Sequence, residues 1–224
     1  MNFFIQNILL ILLMFPIICC FVLFLFLSQI SVYMFKIIIL NITSIIFLLN
    51  IILFIFFDKT STFFQYIYIY NYSEILNLNI LLGIDGVSIF FLLLTTFLIP
   101  LCILSSWNNI RKKIKEFFFL FLILESILLI IFCILDIFLF YIFFESILIP
   151  MFILIGIWGS RQRKIKANYY FFFFTLFGSL LMLLSIISIY IETGTTNYLV
   201  LLFYNFNIYH QYYYWIAFFF FFRN

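Results

Sequence analysis

The 224-residue chain is 68% hydrophobic and only 8% charged, with a formal net charge of +3. A soluble domain carries about a quarter charged residues, so this chain cannot fold in water around a single core, and the bilayer must be its solvent. Its four cysteines lie in apolar runs without a CxxC, and His210 is its one histidine, which excludes a zinc, iron–sulfur or haem centre built at the usual spacings.

Six full hydrophobic spans follow in chain order, near residues 8–27, 37–57, 86–105, 117–135, 137–158 and 168–190, with a partial seventh at 212–222. The full spans have about 19–23 residues, enough to cross a hydrocarbon core of about 30 Å. The expected fold class is therefore all-α: a polytopic transmembrane bundle in one membrane domain, residues 1–224. The first span begins almost at once, with neither a basic signal-peptide start nor an Arg-rich transit segment before it. Together with 38 Phe and 15 Tyr, encoded by AT-rich codons, this suits a protein made and inserted inside an organelle.

Between the second and third spans, Tyr66-Ile67-Tyr68-Ile69-Tyr70 and Leu76-Asn77-Leu78-Asn79-Ile80 alternate apolar and polar residues around a turn at Asn71-Tyr72-Ser73-Glu74. A small surface β-hairpin is expected there. Gly83, Asp85 and Gly86 then form a structural turn into the third span, and Glu192–Asn197 forms another after the sixth.

Nine of the eleven basic residues fall on alternate loops: Lys36 after the first span, Arg111, Lys112, Lys113 and Lys115 after the third, and Arg161, Arg163, Lys164 and Lys166 after the fifth. The positive-inside rule places these loops on the matrix or cytoplasmic side and the N-terminus outside. These short basic runs set topology and meet lipid phosphates, and they argue against nucleic-acid binding.

Charge within the spans is the informative exception. Asp136 separates the fourth and fifth spans and is expected to cap the fifth helix at the outer surface. Glu145 lies nine residues further on, about 13 Å along the helix and near mid-membrane. Glu125 lies about 12 Å into the fourth span from the opposite surface, so the two carboxylates are expected at similar depths on antiparallel neighbours. An acidic side chain at a helix centre costs about 2.5–3.5 kcal/mol on insertion scales, which makes both candidates for proton exchange; a neutral, hydrogen-bonded structural acid is the alternative. Pro150, five residues beyond Glu145, removes a backbone hydrogen bond and either opens the helix to water or simply kinks it.

Several segments, in order, carry a family resemblance. Leu82-Gly83-Ile84-Asp85-Gly86-Val87-Ser88, the stretch from Leu135-Asp136 through Glu145-Ser146 to Pro150-Met151, the loop Gly156–Ala167, Thr175–Leu180 and Thr193–Thr196 resemble the antiporter-like subunit 4 family of mitochondrial NADH dehydrogenase, respiratory complex I, in its N-terminal part. The resemblance implies a membrane-arm subunit of the inner mitochondrial membrane that contributes to proton translocation. It implies no cofactor in this chain, since NADH, FMN, iron–sulfur clusters and ubiquinone belong to other subunits. Glu145 matches the family's fifth-helix glutamate, thought to control the charge of a lysine on the seventh helix, and Glu125 matches an acidic position found in some members. The implied partners are other membrane-arm subunits and membrane lipids.

The family's subunit has about fourteen helices in two inverted repeats, whereas this sequence stops within the seventh, with the lysine expected beyond Asn224. A split subunit completed by a C-terminal fragment is the expectation, with truncation as the other reading. The competing functions are a scaffold subunit without transport and a cation/proton antiporter subunit of the same superfamily.

Overall fold

The computed structural model describes residues 2–73, 78–159 and 161–223. Six of its helices are long and apolar enough to cross a membrane: Asn7–Phe26, Val32–Phe56, Ser88–Ser105, Ile114–Cys133, Ile137–Trp158 and Lys164–Thr193. The chain divides into two compact units, one of Met1–Ile67 with Gly83–Cys133 and one of Tyr68–Leu82 with Ile134–Asn224.

The first unit is a bundle of α1 (Asn2–Phe26), α2 (Val32–Phe56), α3 (Ser88–Ser105) and α4 (Ile114–Cys133). In lipid each helix satisfies its backbone internally, and assembly is left to side-chain packing and interhelical hydrogen bonds. The packed faces repeat every three or four residues, as helix geometry demands. Phe35, Ile39, Thr43, Ile46, Asn50 and Leu53 are fully buried on α2, as are Phe118, Leu122, Glu125 and Leu129 on α4. The α2 and α3 seams share a polar pair, Asn50 Nδ2 donating to Thr96 Oγ1 at 3.0 Å.

Helix ends follow local chemistry. Ser31 caps α2, its hydroxyl accepting from the Met34 N–H at 3.4 Å, so the helix begins five residues before the hydropathy-defined span at residue 37. Lys36, expected in a loop, is therefore inside α2 and buried. Its ammonium donates to the Trp107 carbonyl and lies 5.3 Å from the Trp107 ring centroid and 5.4 Å from that of Phe118. Lys115 donates to the Leu27 carbonyl at 2.9 Å. These two lysines bring the α1–α2 and α3–α4 connections to one end of the unit. Before α3, Asp85 and Ser88 bond reciprocally: the Asp85 carboxylate accepts from the Ser88 N–H at 2.7 Å and the Ser88 hydroxyl from the Asp85 N–H at 2.9 Å. After α2, the Thr60 hydroxyl and N–H bond Asp58 at 2.7 and 2.9 Å and hold its carboxyl below the usual carboxylate range.

The hairpin exists as β1 (Gln65–Ser73) paired with β2 (Leu78–Ile84). Asn71, Tyr72 and Ser73, expected in the turn, continue β1 instead; Glu74, Leu76 and Asn77 lie outside the described residues. The β-branched and aromatic alternation favours extension further than the polar residues oppose it.

In the second unit, β2 leads on to the chain around residue 135. Leu135 N–H donates to the Leu81 carbonyl at 2.9 Å and Tyr198 N–H to the Leu135 carbonyl at 2.9 Å. From this strip rise α5 (Ile137–Trp158) and α6 (Lys164–Thr193), followed by the short α7 (Tyr198–Leu201) and α8 (Ile208–Arg223). α6 packs against both α5 and α8. It extends beyond the hydropathy-defined 168–190 at both ends, because helical hydrogen bonding continues into polar flanks that hydropathy does not count. α8 likewise starts four residues before the expected 212. Gly194, at φ 71°, closes α6 in the left-handed conformation that glycine adopts without strain.

Candidate functional site

α5 owes its position to Asp136. One carboxylate oxygen accepts from the Leu139 N–H at 2.9 Å and caps the helix; the other accepts from the Thr196 hydroxyl. Asp136 and Thr196 are 3% and 5% exposed, so this is a buried clamp between the start of α5 and the segment after α6. The expected cap at Asp136 is present, and the Thr196 partner, sixty residues away, is an addition that local sequence could not supply.

Two and a half turns along α5 lies Glu145. It borders an open cleft of about 410 Å³ lined by Tyr141, Ile142 and Ser146 of α5 and by Phe172 and Leu176 of α6. Glu145 Oε2 is buried and has no hydrogen-bond partner among the described residues. Tyr141, one turn earlier, interacts through its hydroxyl with Glu145 and with Ser179 of α6. Ser146 turns its hydroxyl back onto the Ile142 carbonyl at 2.8 Å. Pro150 has no N–H to give the Ser146 carbonyl, so the helical bond between these two positions is missing one turn beyond Glu145. A carboxyl group and a phenol bordering a cleft in apolar surroundings can seat water and pass protons.

Towards its C-terminal end α5 is tied to α6 by Asn168, which donates to the Phe152 carbonyl at 2.7 Å. Gly156 permits this approach: a Cβ there would meet Asn168 Nδ2 at 2.9 Å.

Glu125 belongs to the first unit and Glu145 to the second. Glu125 is fully buried on the α4 seam, and neither of its oxygens has a partner among the described residues. The adjacent Ser126 donates to the Leu122 carbonyl at 2.8 Å, and its hydroxyl lies 3.7 Å from the Cys20 sulfur. A buried polar atom without a partner is rare in a folded protein and marks a place where water or a group from another element binds.

Sequence reasoning missed a third polar cluster. Glu192, at the end of α6, accepts from the Tyr214 hydroxyl at 2.8 Å and lies 2.8 Å from His210 Nδ1, both partners on α8. An acidic residue in the last turn of a helix opposes the helix dipole, and that was the one available signal.

Residues 134–223 match the family model described as NADH:quinone oxidoreductase/Mrp antiporter, transmembrane. Its boundary coincides with Ile134, where the longer of the second unit's two segments begins. The chain is 47% identical over 158 residues to NADH-ubiquinone oxidoreductase chain 4 of Arabidopsis thaliana, a match that covers 70% of this chain and 32% of that one. Against chain 4 of Triticum aestivum it is 46% identical over 181 residues, covering 81% and 37%. This chain resembles the antiporter-like chain 4 of NADH-ubiquinone oxidoreductase. It spans about a third of the length of the chain 4 relatives it matches. The same fold recurs in a chain of respiratory complex I from Thermus thermophilus with bound NADH, at a TM-score of 0.77 and 24% identity, covering 97% of this chain and 43% of that one. The chain is thus a multi-pass membrane protein with a fold found in respiratory complex I.

Proposed function

We propose that this chain is a membrane-arm component of an NADH:ubiquinone oxidoreductase in the inner mitochondrial membrane, and that it takes part in proton translocation through Glu145. The observation that carries the reading is a buried, unpartnered carboxylate oxygen beside an open cleft, on the helix where the family-matched unit begins. A buried carboxyl group changes its charge by accepting or releasing one proton. In a medium of low dielectric that change is felt strongly by any basic group nearby. In this reading Glu145 is the switchable half of an ion pair with a basic group brought up to its cleft. Tyr141 holds water in reach of the carboxyl group. Glu125 is a second exchange position on α4. NADH oxidation and quinone reduction take place in other subunits, and no cofactor binds this chain.

The 44–47% identity to plant and algal chain 4 favours this over a cation/proton antiporter subunit, although the family model takes in both.

The test is Glu145→Gln in the assembled complex, reconstituted in liposomes. Proton uptake per NADH oxidised should fall while complex assembly is preserved. Unchanged pumping would refute the role of Glu145 and leave the chain a scaffold.

A further inference from the structure

α6 starts in the basic run around Lys164 and ends at Thr193. Its 30 residues rise about 45 Å, more than the hydrocarbon core, so its last turn emerges on the face opposite the basic loop. Glu192 sits in that last turn, where the helix's unpaired carbonyls repel an anion. It is held there by two groups of α8, the Tyr214 hydroxyl and the His210 imidazole, each 2.8 Å from the same carboxylate oxygen. The three differ in access to water. His210 has 54% of its side chain exposed and Glu192 21%, while Tyr214 is 9% exposed. Ser185 and Ser188 precede Glu192 on the same face of α6 at helical spacing. Ser188 bonds back onto the Ser185 carbonyl at 2.8 Å, and Ser185 is fully buried. Glu192 from α6 and Tyr214 from α8 itself are the titratable groups among the described residues that contact His210. Imidazole can take a proton on one ring nitrogen and give one from the other, and the sequence has only this one.

We propose that Glu192 and His210 form the outer proton-exchange station of the unit that carries Glu145, an inference that rests on the proton-translocating reading above. A proton arriving from the interior neutralises the Glu192 carboxylate. It crosses from the carboxyl oxygen to Nδ1 of neutral His210, and the resulting imidazolium releases a proton from its other nitrogen to external water or buffer. Glu192 returns to the carboxylate and His210 to a neutral ring that now carries its hydrogen on Nδ1; a flip of the half-exposed ring, or exchange of that hydrogen with water, frees Nδ1 for the next proton, so the cycle is balanced in protons and involves no redox step. Tyr214 is a positioning residue that orients the carboxylate by donating to it.

The experiment uses the assembled complex in liposomes at low external buffer capacity, with pumping and NADH oxidation followed together. His210→Gln should slow outward proton release severalfold, and small imidazole buffers added outside should restore it, because they replace the lost relay group in solution. Glu192→Gln keeps hydrogen-bonding capacity toward both partners. It should slow release to the same degree without rescue, since the missing group lies on the interior side of His210. Wild-type rates in both variants would overturn the proposal, and so would a His210→Gln defect that external imidazole leaves unchanged, which would mark the pair as a structural tie between α6 and α8. Glu145→Gln, run alongside, separates the two ideas: normal pumping there refutes the translocation reading itself. Loss in Glu145→Gln with normal release in both station variants refutes only the station.

Discussion

The Asp136–Thr196 clamp allows a quantitative test of what holds α5, and with it Glu145, in place. Asp136→Ala removes two interactions at once. The first is the cap on the Leu139 N–H, typically worth about 0.5–2 kcal/mol. The second is the acceptor of the Thr196 hydroxyl, whose loss leaves a nearly buried donor unpaired at about 1–3 kcal/mol. The expected destabilisation is about 2–4 kcal/mol. Asp136→Asn retains a good capping oxygen and an amide that can meet the hydroxyl, so about 1 kcal/mol is expected. Thr196→Val should cost about 1.5–3 kcal/mol, as for a hydrogen bond to a charged group. If the pair acts as one unit, the double variant Asp136→Ala/Thr196→Val falls short of the sum of the singles by about 1.5 kcal/mol or more. Denaturant unfolding in detergent, followed by the fluorescence of Trp158 at the far end of α5, measures all four. Additive single-variant costs, or an Asn variant as damaged as the Ala variant, would refute the clamp.

Other expectations concern helix packing within each unit. Thr96→Val removes the acceptor of Asn50 in the α2–α3 seam; membrane hydrogen bonds of this kind average about 0.6 kcal/mol with a maximum near 1.7, and a loss inside that range is expected in the same unfolding assay. Gly156→Ala forces its new Cβ against Asn168, breaking the bond to Phe152 at a cost of about 1 kcal/mol. Asn168→Ala in the same chain should remove the steric part, so that the double variant is no worse than Asn168→Ala alone. Lys36→Met deletes the cation that faces Trp107 and Phe118, worth about 0.5–2 kcal/mol; a shift in Trp107 emission accompanying lost stability would report that contact, and unchanged emission would count against it.

The particular residues show where the sequence was legible. Asp136 announces itself because a lone acid between two apolar runs has few uses other than a cap. The alternation from Tyr66 to Tyr70 announces a strand because side chains in a strand alternate faces. Glu145 stands out through its cost in an apolar span. Tyr141, one turn before it, carried a readable signal too, since residues four apart on a helix are neighbours. Lys36 misled because hydropathy treats a charge as the end of a span, although a lysine can stay inside a helix when its ammonium reaches a carbonyl and two aromatic rings. The Glu192–His210–Tyr214 cluster gave only the weak hint of an acid at a helix C-terminus. Its partners sit beyond α7, eighteen and twenty-two residues on.

The sequence by itself determined the solvent, the number of full spans and the alternating placement of basic loops. Each depends on local quantities: transfer free energy summed over about twenty residues and hydrogen bonds made within one helix. Only the tertiary structure decided which face of each helix is packed, that Glu125 lies on the α4 seam while Glu145 borders a cleft on α5, and that Thr196 and His210 supply partners to acids far away in the chain. The physical reason is the uniformity of these helices. When nearly every side chain is apolar, rotation about the helix axis leaves no trace in hydropathy, and the facing residues are set by packing against a neighbour.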